Sequence, residues 1–159
     1  MNFKSISIWI KVVLIGFAIC GITLAAIAFP QLGESIVNAN PEFSYAYTPW
    51  MIFLCIALVP CYAVLVLGWI IASNISRDSA FSQVNARLLK AVAFLSAGDS
   101  AFFLLGNIVL LFLNMNHPGI VLLSLPVVFI GFAVCVASYA LSRLTIRAAD
   151  IEDENAMTI

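Results

Sequence analysis

The sequence predicts an all-α integral membrane bundle of four transmembrane helices with both termini cytoplasmic, and three observations predict it. Of 159 residues, 64% are hydrophobic and 9% charged, against about 25% charged in soluble domains. The apolar residues gather into four runs long enough to cross a bilayer, and mean hydropathy is +1.11. All seven Lys and Arg fall in the terminal segments or the second connection. The runs are continuously apolar, without the alternation that a barrel with a polar lumen imposes, which selects helices over strands.

The first span covers about 8–29, its core Val12 to Phe29 interrupted by Thr23 alone, with Lys11 snorkelling to the headgroups. Ala26-Ile27-Ala28 also fits a signal-peptidase pattern, so cleavage after Ala28, leaving three spans, stands as the alternative. The second span, about 50–72, is free of charge; the third, about 91–113, carries only Asp99; the fourth, about 119–142, is uncharged. These spans, a cytoplasmic connection over 73–90 and a cytoplasmic tail over 143–159 make one membrane domain, residues 1–159. The five-residue link Asn114 to Pro118 makes the third and fourth helices antiparallel neighbours.

Lys4, Lys11, Arg77, Arg87, Lys90, Arg143 and Arg147 agree on orientation, because residues 30–49 and the link before the fourth span have no Lys or Arg. The positive-inside rule places the cationic segments in the cytoplasm. Residues 30–49 read as an outer loop, with Tyr45, Tyr47 and Trp50 at the interface.

Small residues four apart let helix backbones approach in lipid. Each span has such a pair: Gly16 with Cys20, Ala57 with Cys61, Ala97 with Ala101, Gly131 with Cys135. They predict a compact bundle in which most cysteines serve packing. Pro60 and Pro126 lie within spans, where each removes a backbone bond and can kink its helix.

The composition excludes several chemistries. Seven cations against eight acids leave no basic surface for direct nucleic-acid binding. Cys20, Cys55, Cys61 and Cys135 lie in spans without a CxxC, which speaks against thiol exchange. With one histidine, His117, neither a zinc site nor paired haem ligands can be assembled. The last three spans contain no lysine, so none of them can form a retinal Schiff base. No enzymatic activity and no cofactor are expected.

Asp99 is the ionisable residue deepest in the hydrocarbon, about 12 Å along its helix from Ala91. Ser96, Asp99, Ser100 and Asn107 stand 3, 4 and 11 residues along from the first, which predicts one polar stripe facing the bundle interior. Tyr62, Ser138 and Tyr139 are its candidate partners. Two readings of Asp99 stay open: a proton- or cation-binding site, or a protonated hydrogen-bonding link between helices.

Two polar segments flank the spans on the cationic side. Arg77, Phe81, Ser82, Asn85, Arg87 and Lys90 belong to the basic connection, where Ser82 is the expected N-cap of a helix running into the third span. Asp150, Glu152, Asp153, Glu154 and Asn155 belong to the tail, an acidic extension of the fourth helix repelled by anionic lipid. It can meet the basic connection or a basic partner, or simply be solvated.

Phe81-Ser82 followed by Asn85 and Leu88, and Leu141-Ser142 through Ala148 to Glu154-Asn155-Ala156-Met157-Thr158-Ile159, resemble the bacterial membrane family known as domain of unknown function 2975. The resemblance extends over nearly the whole chain in span number and loop length. Ala156 stands where the family usually has aspartate, and Met157 where it has leucine. The resemblance implies a small helix-turn-helix regulator of the Cro/repressor type as cytoplasmic partner, engaged by the connection and the tail. A proton-coupled transporter or channel using Asp99, formed as a homo-oligomer, is the alternative; a structural subunit of a larger membrane complex is the third.

Overall fold

The computed structural model describes residues 3–77 and 79–157, with the side chains of 152, 153 and 155–157 left out of the description. The described residues form helices α1 (Phe3–Thr23), α2 (Phe29–Ala39), α3 (Ser44–Ile75), α4 (Gln83–Phe112) and α5 (Pro118–Met157), with no strand among them. A π-helical turn, Leu24–Ala28, joins α1 to α2, and a 3₁₀ turn, Pro41–Phe43, leads into α3. Four helical stretches are long and apolar enough to span a membrane: Phe3–Ala39, Pro41–Ile75, Gln83–Phe112 and Pro118–Ile151.

The first stretch exceeds its expected span because Pro30 is absorbed rather than obeyed as a stop. Proline has no N–H for the carbonyl four residues earlier, and the helix widens just before it: the Phe29 N–H bonds to Leu24 O, five residues back. Residues 30–49 are therefore mostly helical, which corrects the outer-loop expectation. The polar residues Glu34, Ser35 and Asn38 make α2 too polar to span, yet a helix outside the hydrocarbon needs only one apolar face. Leu32, Gly33, Ile36 and Val37 supply it.

The other helix ends follow from local chemistry. Ser82 caps α4, its Oγ accepting from the Asn85 N–H at 3.3 Å. At the far end Asn114 takes the left-handed conformation at φ 55°, which asparagine tolerates better than most residues. The Met115 N–H then bonds to Leu110 O at 2.9 Å and the Asn114 N–H to Leu111 O at 3.1 Å, a Schellman ending. Pro118 occupies the first position of α5, where no N–H is needed. Pro49 and Pro60 stay within α3 and Pro126 within α5.

The helices meet in chain order. Close backbone approach joins α1 to α3, α3 to α4 and α4 to α5, with α2 against α3. The α4–α5 contact is the most extensive, as the short link requires. Its cause is a seam of small residues on α5: Ser124, Val128, Gly131, Cys135, Ser138, Ser142, Thr145 and Ala149 alternate at steps of four and three and are all buried or half-buried. The opposing residues of α4, Ala86, Ala93, Ser100 and Asn107, recur every seventh position and are all buried. Such a heptad of small side chains allows close antiparallel packing. A Cβ on Gly131 would collide with Ser100 Oγ, and the Ser142 hydroxyl donates to Ala86 O at 2.7 Å.

Elsewhere the small-residue pairs play a lesser part than expected. Gly16 and Cys20 are exposed, and a Cβ on Gly16 would meet nothing within 4 Å. Cys20, Cys55 and Cys61 are likewise exposed rather than packed. Instead α1 is tied to α3 by the Ser7 hydroxyl donating to Ala72 O, by Tyr62 Oη donating to Ala18 O at 3.0 Å, and by Lys11 over the Trp69 ring at 5.2 Å. Between α3 and α4, Phe53 lies against Phe102 and Phe103, centroids 5.4 and 5.5 Å away. Gly106 leaves the space that this ring fills.

Candidate functional site

Three places hold the chemistry: a carboxyl within the third span, the cation-bearing end where α4 starts beside α5, and a cleft at the opposite end.

Asp99 is half-buried, and its Oδ2 accepts from Cys61 Sγ of α3 at 3.3 Å. Its Oδ1 is buried with no hydrogen-bond partner among the described residues. The expected stripe divides between two interfaces, because neighbouring helical positions differ by about 100°. Asp99 turns to α3, whereas Ser100 and Asn107 lie on the seam toward α5. Ser100 donates to Ser96 O at 2.8 Å. Asn107, fully buried, donates to Phe103 O at 2.8 Å and accepts from Asn116 Nδ2 at 3.2 Å. Asn107 therefore ties α4 to the link before α5. The expected partners lie elsewhere: Tyr62 is engaged with Ala18, Ser138 is buried on the α5 seam, and Tyr139 is exposed with Arg143 5.9 Å from its ring.

At the cation-bearing end, Asn85 is 1% exposed. Its Oδ1 accepts from Asn74 Nδ2 at 2.7 Å, and its Nδ2 donates to Ser79 O and Ala80 O, each at 3.0 Å. Asn85 is thus the internal clamp of the α3–α4 connection and is not available to a partner, which corrects its place in the expected surface. Its amide finds both donor and acceptor partners inside the turn, so the group is satisfied without solvent. Ser82 is spent on the N-cap. Arg77, Phe81, Arg87 and Lys90 remain exposed.

The tail runs alongside. Gln83 Nε2 donates to Asp150 Oδ1 at 2.9 Å, so the start of α4 and the last part of α5 are joined side by side. The bridge is to an amide rather than to one of the nearby cations. Asp150 and Glu154 are exposed on α5; the side chains of Glu152, Asp153 and Asn155 lie outside the described residues. Among the described residues no group of three His, Cys, Asp or Glu side chains could hold a metal ion.

At the opposite end, α2, α3 and the α4–α5 link enclose a half-open cleft of about 340 Å³. Phe29, Leu32, Ile36, Tyr47, Trp50 and Met51 form much of its wall, and Asn116 and His117 its polar rim. Tyr45 Oη donates to Asn114 O and Trp50 Nε1 to Met115 O, each at 2.7 Å, pinning α3 to the link. His117 Nδ1 accepts from the Gly119 N–H at 3.1 Å. Sequence patterning missed this cleft because α2 read as loop. Its one available signal was the i, i+4 pairs Leu32 with Ile36 and Gly33 with Val37.

The family described as "Protein of unknown function (DUF2975)" matches residues 31–159. A relative, "Uncharacterized membrane protein YoaS" of Bacillus subtilis (strain 168), is 26% identical over 161 residues that cover 100% of both chains. No solved structure matches this chain. The matched region begins in the first turn of α2 and takes in the cleft apart from Phe29, Asp99, the Asn85 clamp and the tail, and the four span-length helices agree with a relative named as a membrane protein. The chain is a multi-pass membrane protein belonging to the DUF2975 family.

Proposed function

We propose that this chain is a non-enzymatic regulatory protein of the bacterial cytoplasmic membrane, whose α3–α4 connection and α5 tail engage a cytoplasmic helix-turn-helix regulator. The observation that carries the proposal is the Gln83–Asp150 hydrogen bond at 2.9 Å. It holds the basic connection and the acidic tail as one surface at the end of the α4–α5 pair. A change in how those two helices pack would alter that surface directly, which is what a signalling role requires of a two-state element. The orientation rests on the seven cations at that end, and reporter fusions at the C-terminus and within residues 38–42 test it: cytoplasmic activity is expected of the first and not of the second.

Crosslinking in native cells, followed by purification of the tagged protein from membranes, is expected to enrich a small helix-turn-helix protein over an untagged control. Replacing Asp150, Glu152, Asp153 and Glu154 by Asn and Gln is expected to abolish that enrichment and change target-gene output; unchanged binding and output would refute the tail's role.

A second reading, a proton-coupled transporter formed from several copies, is favoured by one observation: Asp99 faces a thiol and has a buried oxygen without a hydrogen-bond partner among the described residues. It requires proton-driven flux in liposomes that Asp99→Asn abolishes. No flux from the unaltered protein would count against it.

A further inference from the structure

The cleft between α2 and α3 takes no part in the regulator contact. Its volume of about 340 Å³ lies at the small end of the range for ligand pockets. Phe29, Phe43, Tyr47 and Trp50 bring four aromatic rings to its wall. Gly33 lets α2 lie close on α3, since a Cβ there would stand 2.6 Å from the Tyr47 ring. Across Val37 and Tyr47, which line both spaces, a shallower pocket opens onto Glu34, Asn38 and Ser44.

Apolar walls alone choose nothing here, because lipid tails solvate a hydrocarbon chain as well as leucine does. Selection must come from polar groups at the mouth. Over residues 24–50 and 113–123 the charged residues are Glu34 and Glu42, and all seven cations lie elsewhere in the sequence. That field repels carboxylate and sulfate heads and attracts a cation. Aromatic faces add cation–π attraction where an ammonium group sits over them.

We propose that the α2–α3 cleft binds amphiphilic cations, the apolar chain along the aromatic wall and the ammonium head beside Glu34 and Tyr47. The site stands whether or not the regulator contact does.

The test uses the full chain in zwitterionic-lipid nanodiscs, with binding of radiolabelled dodecyltrimethylammonium and dodecyl sulfate measured against empty discs. The cation is expected to bind saturably and the sulfate not. Glu34→Gln, at an exposed position, is expected to weaken cation binding about two- to fivefold, the scale of an exposed ion pair. Val37→Phe puts bulk at the junction of the two pockets and is expected to abolish binding while circular dichroism stays that of the parent. Equal saturable binding of both amphiphiles would make the cleft a site for any acyl chain and overturn the proposal. Binding no greater than to empty discs would overturn it too, as would full binding by a folded Val37→Phe variant. Should that variant fail to fold, Glu34→Gln decides: unchanged cation binding refutes the proposal.

Discussion

Asn85 shows how one side chain can serve a whole connection. Its amide accepts from Asn74 and donates to two backbone carbonyls of the turn, while its own N–H is held by Ser82. Asn85→Ala would leave the half-buried Asn74 amide and two carbonyls without these partners, at a cost of about 1–3 kcal/mol each for those kept from water. The expected outcome is a loss of about 2 kcal/mol or more in reversible unfolding from mixed micelles, with hydrogen exchange rising first over residues 76–86. Ser82 as N-cap was legible in the sequence, because a serine before an amphipathic start has one good use. The clamp was not: the partners at 74, 79 and 80 meet Asn85 only after the chain turns back on itself. Asp99 divides the same way. Its depth could be counted along the third span, but its contact with Cys61, 38 residues earlier, belongs to the packing of α3 on α4.

At the scale of an element, α5 is the informative helix. Its buried stripe is small and polar rather than large and apolar: Ser124, Ser138, Ser142 and Thr145 are each buried. In water such a stripe would give little hydrophobic drive; in lipid, close approach and interhelical hydrogen bonds take that role. Gly131→Val is therefore expected to separate α4 from α5 around Ser100 and cost about 1–3 kcal/mol, whereas Gly16→Val, at a glycine facing open space, should change stability by less than about 0.5 kcal/mol. Paired unfolding measurements on the two variants check this, and equal losses would refute the seam. Ser142→Ala removes the bond to Ala86 O and should cost about 1 kcal/mol. The pair Gly131 with Cys135 was visible as a close-packing signal, while the matching pair Gly16 with Cys20 faces outward. Both have the same spacing, so spacing alone could not tell a seam from a lipid-facing stripe. The π turn before Pro30 could not be foreseen either, since a proline can end a helix or be absorbed within it.

For the whole molecule, close contact decreases from the α4–α5 pair outward to α1, which makes its close backbone contacts with α3 and the turn that follows it. None of the most apolar window of the first stretch is buried within the chain. Local opening should follow that order. Hydrogen exchange in nanodiscs is expected to show greatest protection at 93–107 and 128–142, and least at the end of the first stretch around residues 29–39, where the helix is held on one side and meets water. Uniform protection across the four stretches would contradict this. The same gradient sets the cleft apart from the tight α4–α5 seam: it lies where α2 folds over α3 and packing is loosest.

The sequence by itself determined the four spans, their helical form, the gathering of the cations at one end, and the antiparallel pairing of the last two helices. Each follows from composition and periodicity, which bilayer thickness and backbone hydrogen bonding in hydrocarbon convert almost directly into structure. Tertiary structure alone decided which small residues form a seam, which polar residue clamps a turn, where Asp99 points, and that residues 29–39 form a wall rather than a loop. Those outcomes depend on which face of each helix meets its neighbour, and lipid, being as apolar as the side chains, imposes no inside and outside on a sequence.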